Sequence, residues 1–596
     1  MNGKRNIPQL CALCIVHCAL WFSTTATAQP NWVKKATKSV FTLKTFNADG
    51  TLLASGNGFF TGTDGEAVSC FTPFRGAQRA VVIDAQGNEL AVECMLGAND
   101  TYDVAKFRVA SKKTVPLTIA TTYAAEGNTV WLLPYLDVKN CVAGTVSKAE
   151  TFNDNYAYYT VTQTSNLKSQ SSKFKDQSSK ILLGSPLMNE QGEVIGLMQQ
   201  PAVEGDSLCY AVSASFADSL KIGGLSINDP TLRSTNIKKD LPMELDQAVL
   251  TLFVASASLD SLSFAQLTDD FISRFPDAPD GYVYRAEQAV NGKKFDLAAN
   301  CMEQAIKVAE KKDEAGLFSS VTPANSRENT AIAHYSYSKL IYQKELYMSD
   351  TPYEPWSFDK ALAEAQEADQ LNPQAVYKRQ QALVLYAMKR YADAADIYKT
   401  LFNSDLRSPD LFYEAARCYE LQRDTTAQLA MLDSCIATFS KPYLKEASPY
   451  LLARAQVRLN AGQYRNAVND LNDYEQLMQA TVNDRFYYLR HQAELGGRLF
   501  QQALNDINRA IEMAPKNDLY YAEKASLLVR VGLYDEAIET ANECIRIAPD
   551  YSDGYLFLGI ALCQKGQKAE GLQNLRKAKE MGDPQADTLI ERFSKD

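Results

Sequence analysis

A skeleton that returns about every 34 residues runs through the second half of the chain, and it constrains the fold more than any other feature. The clearest copy is Asp518 to Tyr551. Ala525 is a small residue in its first amphipathic stretch, Gly532 turns the chain, Tyr534, Ala537, Ala541 and Cys544 follow at helical spacing, and Pro549 closes the unit. Shifted by one period, Asp484 to Asn517 presents Phe500, Ala503, Ile507, Ala510 and Pro515. Ser552 to Gln585 presents Gly559, Gly566, Gly571, Leu575 and Ala578. Earlier copies begin at Ser448, Pro409, Ala375 and Pro279. A stretched unit carrying the loop Ser349 to Trp356 ends in Phe358, Ala361, Ala365, Ala368 and Pro373, and Met243 to Ala278 reads as a diverged first helix pair. Small residues at fixed places let two antiparallel helices approach, and an aromatic after each turn wedges the next pair. One pair cannot bury its apolar face alone, so the units must stack into a solenoid. The spacing predicts about nine helix pairs over 243–585 and a capping helix over 586–596.

These spacings resemble the tetratricopeptide repeat. The resemblance implies a protein-binding groove lined by the first helix of each pair. The matching positions here are Arg379, Tyr386, Tyr413, Arg417, Tyr488, Gln492 and Arg530. Tyr and Arg are the residue types that anchor protein interfaces. The Lys/Asn pattern with which chaperone-binding members clamp a C-terminal carboxylate is not visible. His491 falls at the small-residue packing place of its repeat and is expected in the core.

The first half is built differently. Ser39 to Phe46 alternates and then turns at Asn47-Ala48-Asp49-Gly50. Gly56 to Phe60, Glu66 to Cys70, Ala80 to Ile83, Ala91 to Leu96, Val104 to Val109, Thr129 to Leu133 and Tyr156 to Thr164 read as further strands. Gln191-Gly192 joins Pro186-Leu187-Met188 to Val194-Ile195-Gly196-Leu197 as a hairpin. Many short strands separated by Gly turns predict a β-sandwich or barrel.

The order of motifs in this half resembles the trypsin-like peptidases of the HtrA type, which implies a double β-barrel over roughly residues 33 to 225. Gly56-Asn57-Gly58-Phe59-Phe60 with Asp64-Gly65 looks like that family's opening hairpin. Where the family has its catalytic histidine, the run Val68-Ser69-Cys70-Phe71-Thr72-Pro73-Phe74 places Thr72. The family's aspartate matches Asp103 in Tyr102-Asp103-Val104-Ala105-Lys106-Phe107. Its nucleophile loop matches Ile181-Leu182-Leu183-Gly184-Ser185-Pro186-Leu187, so the serine position holds Leu183.

A chemical check stands beside the motif order. A serine hydroxyl attacks an acyl carbon only when a base takes its proton, and imidazole is that base in the triad. The chain has three histidines: His17, His334 and His491. None lies in the β-rich stretch. Ser185 with Lys180 as base is the one displaced pair to weigh, but a serine beside proline in a turn reads as structural. Ile181 and Leu182 put bulk where the oxyanion loop needs small residues. The expectation is a degenerate peptidase domain with Asp103 kept as a hydrogen-bonded carboxylate.

Lys4 and Arg5, the apolar run Leu10 to Phe22 and the exit Ala26-Thr27-Ala28 have the parts of a secretory signal peptide, expected over 1–28. The apolar run is too short for a membrane span, and nothing later resembles one. Loss of Lys4 and Arg5 would deepen the formal charge of −10 by two. That balance argues against a nucleic-acid binder, which needs a cationic face. Cys11, Cys14 and Cys18 leave with the leader, and nine cysteines remain of 12, none in Cys-x-x-Cys spacing. The Ser/Lys-rich stretch Thr164 to Lys180 reads as a surface loop, and 223–242, with no helical period, as the linker after a peptidase-like domain over 29–222.

The sequence thus predicts an exported protein of the periplasm or cell envelope, with an all-β double barrel followed by an all-α solenoid. Its expected role is to hold protein or peptide partners, within an envelope complex, without a cofactor or metal. The competing reading is an active periplasmic serine endopeptidase whose repeats recruit substrate.

Overall fold

The structure, a computed structural model, describes residues 30–133, 141–153, 155–163, 183–199, 208–316 and 327–595. The expected leader, the Ser/Lys-rich stretch and Lys180 to Leu182 lie outside the described residues. The chain divides into two units, Met1–Gln288 and Ala289–Asp596.

Alternating apolar residues close the first unit into two six-stranded antiparallel barrels. β1 (Val40–Phe46), β2 (Leu52–Phe60), β3 (Glu66–Ser69), β4 (Arg79–Ile83), β5 (Glu89–Asn99) and β6 (Val104–Val109) join in the order β1-β2-β3-β6-β5-β4. β7 (Thr129–Leu132), β8 (Val142–Phe152), β9 (Tyr156–Gln163), β10 (Pro186–Met188), β11 (Val194–Met198) and β12 (Leu208–Ser213) join in the order β10-β11-β12-β9-β8-β7. Closure leaves no free strand edge to pair with other chains. Each barrel has its own core, around Phe41, Phe60, Phe74 and Phe107 in the first and Val130, Leu132, Tyr159 and Leu187 in the second. A third cluster lies between them, from Phe59, Val68 and Cys70 to Met188, Leu197 and Val212.

The segment 223–242, expected as a linker, is fastened to the first barrel. Leu232 and Ile237 are buried in that barrel's core. The amide of Met95 donates to the carbonyl of Lys238 at 2.7 Å, and the amide of Asp240 donates back to the Met95 carbonyl at 2.9 Å. Lacking a period, the segment forms only two short helical turns, Ser226–Asn228 and Pro230–Arg233, but two apolar side chains and four paired main-chain groups hold it to the barrel. α1 (Leu245–Ser258) and α2 (Ser261–Arg274) then bury Leu241, Leu252, Phe264 and Phe271 together. Asp240 accepts from Arg108 of β6 at 3.2 Å and from Arg274 of α2 at 2.6 Å, so one carboxylate ties helix to barrel.

α3 (Pro279–Asn291) crosses the division, and the described residues of the second unit continue in helices. These are α4 (Phe295–Glu314), α5 (Glu328–Tyr347), α6 (Phe358–Leu371), α7 (Ala375–Ala387), α8 (Tyr391–Leu401), α9 (Pro409–Leu421), α10 (Thr425–Ile436), α11 (Ser448–Asn460) and α12 (Tyr464–Met478). There follow α13 (Asp484–Gly496), α14 (Phe500–Met513), α15 (Asp518–Val531), α16 (Tyr534–Ile547), α17 (Ser552–Gln564), α18 (Lys568–Glu580) and α19 (Ala586–Lys595). The small-residue places Ala382, Ala416, Ala455, Ala525 and Gly559 are buried in these pairs, and His491 fills the same place in its repeat with no exposure at all. Its Nδ1 donates to the Ala503 carbonyl at 2.8 Å, since a carbonyl can only accept. Burial pushes its pKa below the usual histidine value.

Buried arginines fix the stacking. Arg454 on α11 holds Asp470 of α12 with two bonds and reaches Asp433 of α10. Arg490 on α13 repeats the device one unit later, holding Asp506 of α14 and reaching Glu475 of α12. Each planar guanidinium joins its own pair to the second helix of the pair before it. The all-β double barrel and the all-α repeat array expected from sequence are both present.

Candidate functional site

The ends of β3 and β5 and the turn before β10 meet between the barrels, and they bring the three peptidase-like positions into one place. Thr72 opens a short 3-10 turn just after β3. Asp103 sits between β5 and β6 at φ +52°, a left-handed conformation that an aspartate tolerates better than most residues. Its Oδ1 accepts from the Thr72 amide at 2.6 Å and from the Thr72 hydroxyl at 2.8 Å. Burial raises the Asp103 pKa above the ordinary carboxylate value, against the lowering effect of those two bonds.

Leu183 is buried, at 7% exposure, in the cluster between the barrels beside Cys70, Val104 and Leu197. Its carbonyl accepts from the Asn57 amide at 2.8 Å, a main-chain bond from β2 of the first barrel to the turn that precedes β10. Gly184 follows at φ +80°, and a Cβ there would stand 2.0 Å from the Asn57 carbonyl oxygen. Only glycine fits that close approach of backbone to backbone. Its amide is committed to the Met198 carbonyl at 2.8 Å. Ser185 has no exposure, and its Oγ meets no hydrogen-bond partner among the described residues.

Cys70 was missed as a member of this site. Its Sγ lies 3.3 Å from the Met198 carbonyl, and burial with the nearby Asp103 charge pushes its pKa well up, so it is a thiol rather than a thiolate. The sequence signal was its place two residues before Thr72. None of the nine cysteines among the described residues is in a disulfide. No described group of His, Cys, Asp and Glu could hold a metal ion, and no described helix is long and apolar enough to cross a membrane.

In the second unit the groove candidates lie on first helices, and most of them meet side chains one repeat on. Arg379 of α7 grips Glu414 of α9 through both carboxylate oxygens, one at 3.1 Å. Arg417 of α9 lies over the Tyr386 ring of α7, 5.4 Å from its centroid. Tyr413 meets Tyr450 of α11 edge to face at 5.6 Å. Tyr488 accepts from Gln492 at 3.0 Å and donates to Glu523 of α15 at 3.2 Å. Arg530 is exposed near the end of α15. Glu414 and Glu523 were not singled out from sequence. Each stands 35 residues beyond its partner, one position past the repeat period, and that offset was the available signal.

The double barrel and the helical array define a trypsin-like peptidase domain followed by a tetratricopeptide-type array. Residues 56–197 match the family model described as a trypsin-like peptidase domain. Among curated proteins, the chain is 31% identical over 93 residues to small glutamine-rich tetratricopeptide repeat-containing protein 2 of Saccharomyces cerevisiae, covering 16% of this chain and 27% of that protein. It is 25% identical over 224 residues to the Hsp70-Hsp90 organizing protein of Triticum aestivum, covering 36% of each. The chain thus spans about a quarter to a third of the length of these relatives. Among solved structures, the active form of the Rv3671c protease of M. tuberculosis is similar over 37% of this chain and 88% of that one, at 16% identity and a TM-score of 0.28. The barrels stand on the strand pairing itself.

Proposed function

We propose that this chain is an exported interaction scaffold of the periplasm or cell envelope, in which a trypsin-like domain without peptidase activity accompanies an array that binds partner polypeptides. One observation carries the loss of activity: Leu183 is a packed core residue where the nucleophile would stand, while Asp103 holds Thr72 where it would orient an imidazole. Both histidines beyond the leader belong to the helical unit, and the barrel stretch itself contains no imidazole to draw a proton from a hydroxyl. Ser185, buried and turned away from solvent, offers no substitute. The names of the relatives support protein binding, and the Tyr and Arg residues shared between first helices supply the surface for it. The leader-like segment supports export.

Purified protein incubated with a fluorophosphonate probe and unfolded casein is expected to show neither labelling nor cleavage. Labelling that disappears in Ser185→Ala would overturn the assignment. Affinity purification from the native envelope is expected to recover polypeptide partners, with Arg417→Ala and Tyr413→Ala reducing their yield. Fractionation with N-terminal sequencing checks the compartment: a chain that keeps residues 1–28 in the cytoplasm would end the export proposal.

A further inference from the structure

The stretched repeat carries a walled pocket on elements other than those of the groove candidates. Most helix pairs here turn within three residues, but α5 and α6 are joined by Met348 to Ser357, ten residues long. The segment is pinned at two points. Trp356 is buried and donates from Nε1 to the Tyr337 hydroxyl at 3.0 Å, and the Tyr353 hydroxyl donates to Asp296 of α4 at 2.9 Å. The Tyr353 and Trp356 rings meet edge to face at 5.4 Å. Beneath this roof, α4, α5 and α6 enclose a cavity of about 480 Å³.

Its charges do not balance. Glu364, nine-tenths buried on α6, is answered twice, by Lys360 at 2.6 Å and by His334 Nδ1 at 2.5 Å. Asp296 and Glu303, one α4 face apart by two turns, also line the cavity, and among the described residues neither meets a cation of the chain within ion-pair distance. Two carboxylates without a paired cation among the described residues, Asp296 also holding the Tyr353 hydroxyl, therefore face the rings of Tyr337 and Tyr353. Ring faces and carboxylates attract the same thing, a cation on an organic stem. The chain already uses the local aromatic surface in this way: Lys344 lies 5.4 Å from the Phe295 ring centroid and Lys360 lies 5.7 Å from that of Tyr337. A volume of this size takes an ammonium or guanidinium head with several methylenes.

We propose that this pocket binds an organic cation, an alkyl-ammonium or alkyl-guanidinium group, with Asp296 and Glu303 as its counter-charges and Tyr337 and Tyr353 as its aromatic wall. The inference does not rest on the groove or on the state of the barrel. The group belongs either to a free amine or to a Lys or Arg side chain of a polypeptide, and the chemistry at the head is the same.

Calorimetric titration of the full chain tests it. The probes are agmatine and cadaverine, an acetylated and amidated Gly-Gly-Arg-Gly-Gly peptide, and the same peptide with norleucine for arginine. Saturable binding of the cations, absent with norleucine, is expected. Glu303→Gln, at an exposed helix position, and Asp296→Asn should each weaken it at least tenfold while leaving the circular dichroism and unfolding temperature in place. Tighter binding of the peptide than of agmatine assigns a polypeptide source; the reverse assigns a free amine. The proposal is overturned if no cation binds below about 1 mM, if norleucine binds as well as arginine, or if both substitutions leave the affinity unchanged.

Discussion

At the residue scale, Leu183 and Glu494 show how much a single buried group decides. Leu183 fills space between two barrels, so Leu183→Ser removes packed carbons and leaves a hydroxyl in an apolar cluster. A loss of about 3 kcal/mol of stability is expected, read by denaturant unfolding, with no gain of casein cleavage because no imidazole accompanies the new serine. Glu494 of α13 is buried beside Asp506, and one of its oxygens has no hydrogen-bond partner among the described residues. Burial first, and then the Asp506 charge, raise its pKa, while Arg490 opposes the shift; Glu475 adds to the raise from α12. The folded chain therefore holds this proton more tightly than the unfolded chain. The stability is full below the ordinary glutamate value and is lost as pH rises through the folded one. Glu494→Gln should flatten the dependence by up to about 1.4 kcal/mol per pH unit at its steepest. Unfolding curves of the two proteins from weakly acidic to weakly alkaline pH check this, and parallel curves would refute it. Little of this was visible in the sequence. Thr72, Asp103 and Leu183 could be placed by motif order, whereas Cys70 had only its place two residues before Thr72 to mark it, which does not say that its side chain meets the Met198 carbonyl.

At the element scale, legibility followed periodicity. Ala503, Ala537 and Ala541 marked their helices because close packing admits only small groups there. The turns were harder to see: Lys389, Arg423 and Arg498 take the left-handed conformation that Gly462, Gly532 and Gly566 take in sister repeats. β8 and β12 were overlooked in the barrels. β8 has exposed polar residues over much of its length and Gly144 near its start, so its alternation is weak. α17 and α18 show what small residues permit: a Cβ on Gly571 would stand 2.4 Å from Cys563 Sγ and 2.8 Å from the Gly559 carbonyl oxygen. Gly571→Ala must push the helices apart, and about 2 kcal/mol should be lost, seen as a lower unfolding midpoint. An unchanged midpoint would mean the pair is looser than its spacing implies.

At the scale of the whole molecule, the two units have separate cores, and a substitution in one should register in that one. Asp240→Asn is the sharp case. It removes the charge shared by Arg108 and Arg274, both partly buried, and should cost the first unit about 2 kcal/mol. Scanning calorimetry is expected to show one transition falling and the other unmoved; a common shift of both would contradict it. The composition of 223–242 made it the obvious seam, since Gly, Pro and Ser without a period ordinarily mark a boundary, but composition says nothing of where Leu232 and Ile237 are placed. The consequence concerns where this chain can be cut and rejoined. Grafting a foreign partner in place of everything after residue 222 would strip the strap that pairs with β5, take Leu232 and Ile237 out of the barrel's core and orphan the main-chain groups of Met95. A junction downstream of Arg274 keeps that strap and its clasp together.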